Sequence, residues 1–238
     1  MSTAKPTTGR EMYPMVYNDV TPDDTAGFIQ IFDGKTLAGW EGDTRFWRVE
    51  RGAIVGETAA SGSISENTFL IWCGGKVSDF ELKVEFRMNG GNSGIQYRSV
   101  QVPAPGKWHM TGYQADIDFD NFFTGNVHDE DGRHIAAEHG QMIRAVTGPG
   151  FRRIASIIPE AAVKTAVKAN DWNHYHIIAI GPVLMQVVNG QLISLLLDED
   201  TTRRALTGLI GLQLHVGDAF KIEFRNIWLK TLEGSRPA

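Results

Sequence analysis

Between residues 112 and 132 the chain reads GYQADIDFDNFFTGNVHDEDG, which sets Asp116, Asp118, Asp120, Asp129, Glu130 and Asp131 around one histidine, His128. Carboxylates at this density can hold calcium, work as an acid/base pair, or solvate a bend. An EF-hand needs oxygen ligands at fixed offsets, a central glycine and a glutamate at the twelfth place. DIDFDNFFTGNVHDE opens as DxDxD, but the bulky Phe122-Phe123 and the late Gly125 break that spacing. A structural calcium of another type stays open beside acid/base chemistry.

These side chains need elements to aim them. QYRS and QADID have the two-residue period of strands, so Gln96 and Arg98 share one face, as do Gln114, Asp116 and Asp118. Ala115 and Ile117 turn the other way, which suits a sandwich strand with one face in the core. VHDEDG reads as a loop following that strand, and FDNFFTGN as the connection between them, with Phe122 and Phe123 as anchors.

The surrounding sequence is rich in short strands. FWRVERGAIVGE and VLMQVVNGQLISLLLD are hairpins turning at Arg51-Gly52 and Asn189-Gly190. FLIWCGG, FELKVEFRM, WNHYHIIAIG, GLIGLQLHVG and FKIEFRNIWLKTL are further strands. PEAAVKTAVKAND is the one helix expected, and AAEHGQMIRAVTGPGFRRIASI resists assignment. Many strands and one short helix predict an all-β sandwich or jelly roll of antiparallel sheets. Residues 1–26 read as an extended arm and residues 27–238 as a single domain.

Composition narrows the function. A net charge of −5 with no dense Lys/Arg run argues against nucleic-acid binding. The single cysteine, Cys73, excludes an internal disulfide and a CxxC metal site. No apolar run approaches the ~20 residues needed to cross a bilayer, so no membrane partner is expected. The first residues lack the apolar core of a secretory signal, which makes cytoplasmic the expectation, or periplasmic had a leader been removed. GxGxxG, GxxxxGK[ST] and HExxH are missing from the last hundred residues, and no nucleotide cofactor is expected. A sheet lined with aromatics and carboxylates leaves glycan chemistry as the natural candidate.

FIQIFDGKTLAGWEG, FELKVEFRMNGGNSGIQYRS, GYQADID, WNHYHIIAIG, VNGQLI and GLIGLQLHVGDAFKIEFRNIWLK occur in the order seen in the 3-keto-disaccharide hydrolase domain family. The resemblance spans about residues 27 to 231. It implies a concanavalin A-like jelly roll and activity on sugars whose C3 hydroxyl has become a ketone. A C3 ketone acidifies the hydrogen on C2; a base that removes it forms an enolate, which can expel the group on C1. Water addition to the resulting glycal completes a net hydrolysis. Such a route needs a base, a stabiliser for the enolate oxygen and an acid for the leaving oxygen. It also implies a functional link to a sugar 3-dehydrogenase, which makes the ketone. The rival reading is a carbohydrate-binding or interaction module that keeps the fold without the chemistry.

Asp116 is the leading carboxylate, as base or metal ligand, against a solvated or ion-paired strand aspartate. The resemblance singles out Glu130 as the second carboxylate and departs at His128, which stands where the family often has an aromatic. It also raises His215 in GLQLHVGD, as proton shuttle or metal ligand, against a core histidine. Gln96, Arg98 and Gln114 are candidate sugar contacts, with Arg98 on the ketone or enolate oxygen, although Arg98 could equally pair with Asp116 across the sheet. Asn92 could also touch ligand. Trp108, like Trp40 and Trp47, is a stacking platform or core filling, and lies nearest GYQADID in sequence. A divalent ion on Asp116 and His215 and a homo-oligomer are both left open. His134 and His139 carry no family signal.

Overall fold

The computed structural model describes residues 24–58, 64–148 and 150–232. The expected arm lies outside them except for residues 24–26. Two sheets face each other across one apolar core. The larger takes, in spatial order, Gly150–Ser156, Gln141–Val146, Gln191–Asp198, Val183–Val188, Asn173–Ile180, Phe80–Met88, Lys221–Thr231, Ala53–Glu57 and Trp47–Glu50, with Ile29–Gln30 also paired to Lys221–Thr231. The seven-stranded sheet runs His134–Ala137, Val127–Glu130, His109–Asp118, Asn92–Val102, Leu209–Leu214, Thr68–Trp72 and Trp40–Glu41. This is the expected jelly-roll sandwich. One pairing departs from the all-antiparallel expectation: Gln141–Val146 lies parallel to Gln191–Asp198.

Alternation explains the layers. In Phe80–Met88 the residues Phe80, Leu82, Val84, Phe86 and Met88 are buried, each contributing about 1.5–3 kcal/mol of apolar transfer. Tyr175, Ile177 and Ala179 are likewise buried on the neighbouring strand. Both expected hairpins form. Arg51 and Gly52 at φ 50° and 81°, and Asn189 and Gly190 at 49° and 80°, adopt the paired left-handed conformations of a two-residue turn. The expected helix is Glu160–Ala166, entered after Pro159 and anchored by buried Val163.

The unassigned stretch holds the end of His134–Ala137 and then two whole strands, Gln141–Val146 and Gly150–Ser156. The second is almost wholly exposed, which removes the alternation that reveals a strand in sequence. Likewise VHDEDG is not simply a loop: Val127–Glu130 is a strand paired to His109–Asp118. Phe122 and Phe123 are not buried anchors but are 62% and 43% exposed.

Candidate active site

Strand periodicity sets the site. In His109–Asp118, Tyr113, Ala115 and Ile117 enter the core, so Gln114 and Asp116 occupy the opposite face. Gln114 sits opposite His128, and Gly112 opposite Glu130, which puts His128 and Glu130 on that face too. Asp131, at φ 54°, and Gly132 then turn the chain into His134–Ala137, with Ile135 opposite His128. A cleft of about 450 Å³ opens here, lined by Asn92, Gln114, Asp116, Phe123, His128, Glu130, Asp131, His134, Ile135 and His215.

Beneath the cleft floor a chain of polar side chains points at Asp116. Ser99 Oγ donates to Gln96 Oε1 (2.6 Å), Gln96 Nε2 to Gln114 Oε1 (3.1 Å), and Gln114 Nε2 to Asp116 Oδ1 (2.8 Å). All donate in one direction, so the dipoles add towards one carboxylate oxygen. Gly94 makes room for this: a Cβ there would lie 2.4 Å from Gln114 Cδ. Gln213, across the sheet from Gly94, is buried with neither amide atom hydrogen-bonded among the described residues.

Asp116 is 4% exposed, and among the described residues no Lys or Arg pairs with it. Burial drives its pKa well above the ordinary carboxylate value; the Gln114 hydrogen bond opposes that rise, while Glu130 and Asp118 add to it. Its Oδ2 faces His128 Nδ1 at 3.9 Å, and His128 Nε2 faces Glu130 Oε2 at 3.6 Å. Burial lowers the His128 pKa, with nearby Glu130 pulling back and His134 pushing further down. A carboxyl pushed up beside an imidazole pushed down is the pattern of an acid/base pair tuned by its surroundings.

Glu130 is held in turn. Asn67 Nδ2 donates to its Oε1 at 2.9 Å, while Asn67 Oδ1 accepts from the Val216 amide at 2.9 Å. Asp131 Oδ2 meets the buried His109 Nε2 at 2.6 Å.

Of the residues singled out from sequence, Asp116, Glu130, Gln114 and His215 line one cleft. His215 follows the end of its strand, with Nδ1 against the Val216 carbonyl. Gln96 lies below the floor, bonded to Gln114 and Ser99. Arg98 is not brought to the cleft. A register shift after Tyr97 and a φ of 47° at Arg98 break the two-residue period. Its guanidinium instead meets the Ser78 carbonyl, the Gly181 carbonyl and Asp79 Oδ1 at 2.7, 2.6 and 3.0 Å. Trp108 lies elsewhere, in a separate hollow beside Glu66 and Lys107. Asp118 caps the following turn through the Phe122 amide (2.8 Å), and Asp129 pairs with Arg133 (2.7 Å).

Sequence reasoning did not assign His128 as proton carrier, nor His134, Asp131, Phe123 and Ile135 to the cleft. One signal was available. Asp131-Gly132 is a hairpin dipeptide, and a hairpin there makes 127–130 a strand with His128 and Glu130 on one face.

The divalent ion left open above would draw on Asp116 and His215, which line the same cleft. Among the described residues no group of three or more His, Cys, Asp or Glu side chains is placed to hold a metal ion. Asp116 accepts from Gln114 through Oδ1 and keeps Oδ2 free of hydrogen bonds among the described residues.

The family described as 3-keto-alpha-glucoside-1,2-lyase-like domain matches residues 27–230. A 3-keto-disaccharide hydrolase of Bacteroides thetaiotaomicron is 36% identical over 94 residues, covering 36% of this chain and 32% of that protein. The match thus spans about a third of the relative's length. A Parabacteroides distasonis protein provisionally assigned to the glycosyl hydrolases shares the fold, with TM-score 0.57, 17% identity and coverage of 90% and 99% of the two chains. Carbohydrate-binding module CBM66 of Bacillus subtilis shares it at TM-score 0.50, with 16% identity and coverage of 81% and 96%.

Proposed function

The chain belongs to the 3-keto-alpha-glucoside-1,2-lyase-like family, and from that premise we propose that it cleaves 3-keto-glycosides by elimination across C2 and C1. Water addition to the glycal then gives net hydrolysis. One observation carries the reading: Asp116, buried with no Lys or Arg partner among the described residues, faces His128 inside a substrate-sized cleft. Burying an ionisable carboxyl costs several kcal/mol, which a purely sugar-binding surface has no need to bear.

Asp116 Oδ2 removes the C2 proton, and burial favours the carboxylic acid so formed. Gln114 keeps Oδ1 occupied and so presents Oδ2. As the enolate collapses, the C1–O bond breaks. Neutral His128, with its proton on Nε2, gives that proton to the leaving oxygen and takes the Asp116 proton at Nδ1. The lowered His128 pKa suits this relay, because it calls for a neutral imidazole rather than an imidazolium. Glu130, held by Asn67, orients the Nε2 side. Asn92 and His215, on the far flank of Asp116, are the donors available to the enolate oxygen. A sugar 3-dehydrogenase is the class of enzyme that supplies such a substrate.

The test compares a 3-keto-glycoside with its parent glycoside. Release of the leaving group from the keto compound alone is expected. Release from neither, or equal release from both, overturns the elimination route.

A further inference from the structure

One buried charged cluster has no part in the chemistry above. Arg133 closes the turn between Val127–Glu130 and His134–Ala137, yet its side chain is only 5% exposed. Its guanidinium forks onto Asp198 of the larger sheet, with Nη1 donating to Oδ1 at 3.1 Å and Nη2 to Oδ2 at 2.6 Å. Nε donates to Asp129 Oδ2 at 2.7 Å, and Nη2 also donates to Tyr113 Oη at 3.3 Å. Tyr113 Oη donates in turn to Asp198 Oδ2 at 2.5 Å. Gly132 lets the Asp129 carboxylate fold this close to the turn: a Cβ there would lie 2.4 Å from Asp129 Oδ1. Ion-paired, two-pronged bonds of this kind fix direction as well as distance.

The sheet register connects this cluster to the cleft. Tyr113 sits opposite Asp129 on the core face, and the next pair, Gln114 opposite His128, is on the cleft face. Gln114 holds Asp116, so the same two strands carry the Asp116–His128 pair on their front and the Arg133 cluster on their back. Arg133 grips both strands at once and ties them to the opposite sheet. A lysine ammonium would keep the charge but lose the planar fork, and with it the fixed geometry of Asp129, Asp198 and Tyr113.

We infer that Arg133 is a positioning residue, which from behind the sheet fixes His128 against Asp116 and the leaving oxygen. The inference rests on the C2–C1 elimination reading, in which His128 gives a proton to that oxygen. Misplacing His128 then slows the departure of an alkoxide, which must be protonated, and spares a nitrophenoxide, which leaves without a proton.

Arg133→Lys is assayed on two 3-keto-glycosides of one sugar, one with a methoxide and one with a nitrophenoxide leaving group. It is expected to lower kcat about 10- to 100-fold on the methyl substrate and to stay within about 2-fold of wild type on the nitrophenyl one, with KM unchanged on both. A merely structural loss reduces the folded fraction and lowers both rates alike. Tyr113→Phe removes one hydroxyl and keeps the ring; it is expected to give the same split at about 2- to 5-fold, and it carries the test if Arg133→Lys does not fold. Equal losses on both substrates, or no loss on either, in the folded variant overturn the positioning role and leave the elimination reading intact. Wild-type release from neither substrate overturns both.

Discussion

Replacing Asp116 by asparagine tests its burial in isolation. The new amide would keep an oxygen to accept from Gln114 Nε2 and the same shape, so only the charge disappears. The folded-state pKa of Asp116 is raised by burial, so between the ordinary carboxylate range and that raised value the native chain binds a proton the unfolded chain has lost. Stability is therefore undiminished below the unfolded pKa of about 4 and falls as pH rises towards the folded value. Each pH unit in that window costs about 1.4 kcal/mol, and for a chain of this size 1 kcal/mol moves Tm by about 2–4 °C. Calorimetric melting of both proteins from pH 4 to 8 should give curves that coincide at the acid end. The wild type should then fall behind by about 3–6 °C per pH unit until the raised pKa is passed. Titrations elsewhere cancel in the difference. A variant less stable than wild type at neutral pH, or a gap that ignores pH, would refute the claim that Asp116 is an uncompensated buried carboxyl.

Other perturbations separate chemistry from scaffold. Gly94→Ala forces a Cβ into Gln114, and should cost about 1–3 kcal/mol in denaturant titration while releasing Asp116 from its hydrogen bond and lowering kcat. His128→Gln should lower kcat by about 10²–10⁴-fold in steady-state assay with unfolding little changed. Arg98→Met strands Asp79 and two carbonyls and should lose about 3–5 kcal/mol of stability, with KM unchanged in the folded fraction. Gln213→Met removes a buried amide that is unbonded among the described residues and should leave stability equal to wild type or up to about 1–3 kcal/mol higher.

The sandwich was legible because FELKVEFRM and WNHYHIIAIG alternate cleanly and because Arg51-Gly52 and Asn189-Gly190 can only be tight turns. Gly150–Ser156 was not, since a strand exposed on nearly every residue leaves no apolar period. Asp116 and Gln114 followed from two-residue periodicity, which holds along their strand. Arg98 departed from the same rule because the chain bulges after Tyr97, and no residue type in IQYRSVQV announces that bulge. His128 and His134 needed long-range information: their place depends on Val127–Glu130 pairing with His109–Asp118 across the loop that carries Phe122 and Phe123. The six carboxylates divide accordingly. Asp116, Glu130 and Asp131 reach the cleft, Asp129 braces Arg133, Asp118 caps a turn and Asp120 remains exposed.

The central claim, removal of the C2 proton by Asp116, is tested most directly by turnover of a 3-keto-glycoside in deuterium oxide, with NMR of the released sugar. Wild-type protein should deliver a product carrying solvent deuterium at C2, and Asp116→Asn should give neither exchange nor release. Release of the leaving group with the original C2 hydrogen retained, or undiminished exchange in the variant, would contradict it.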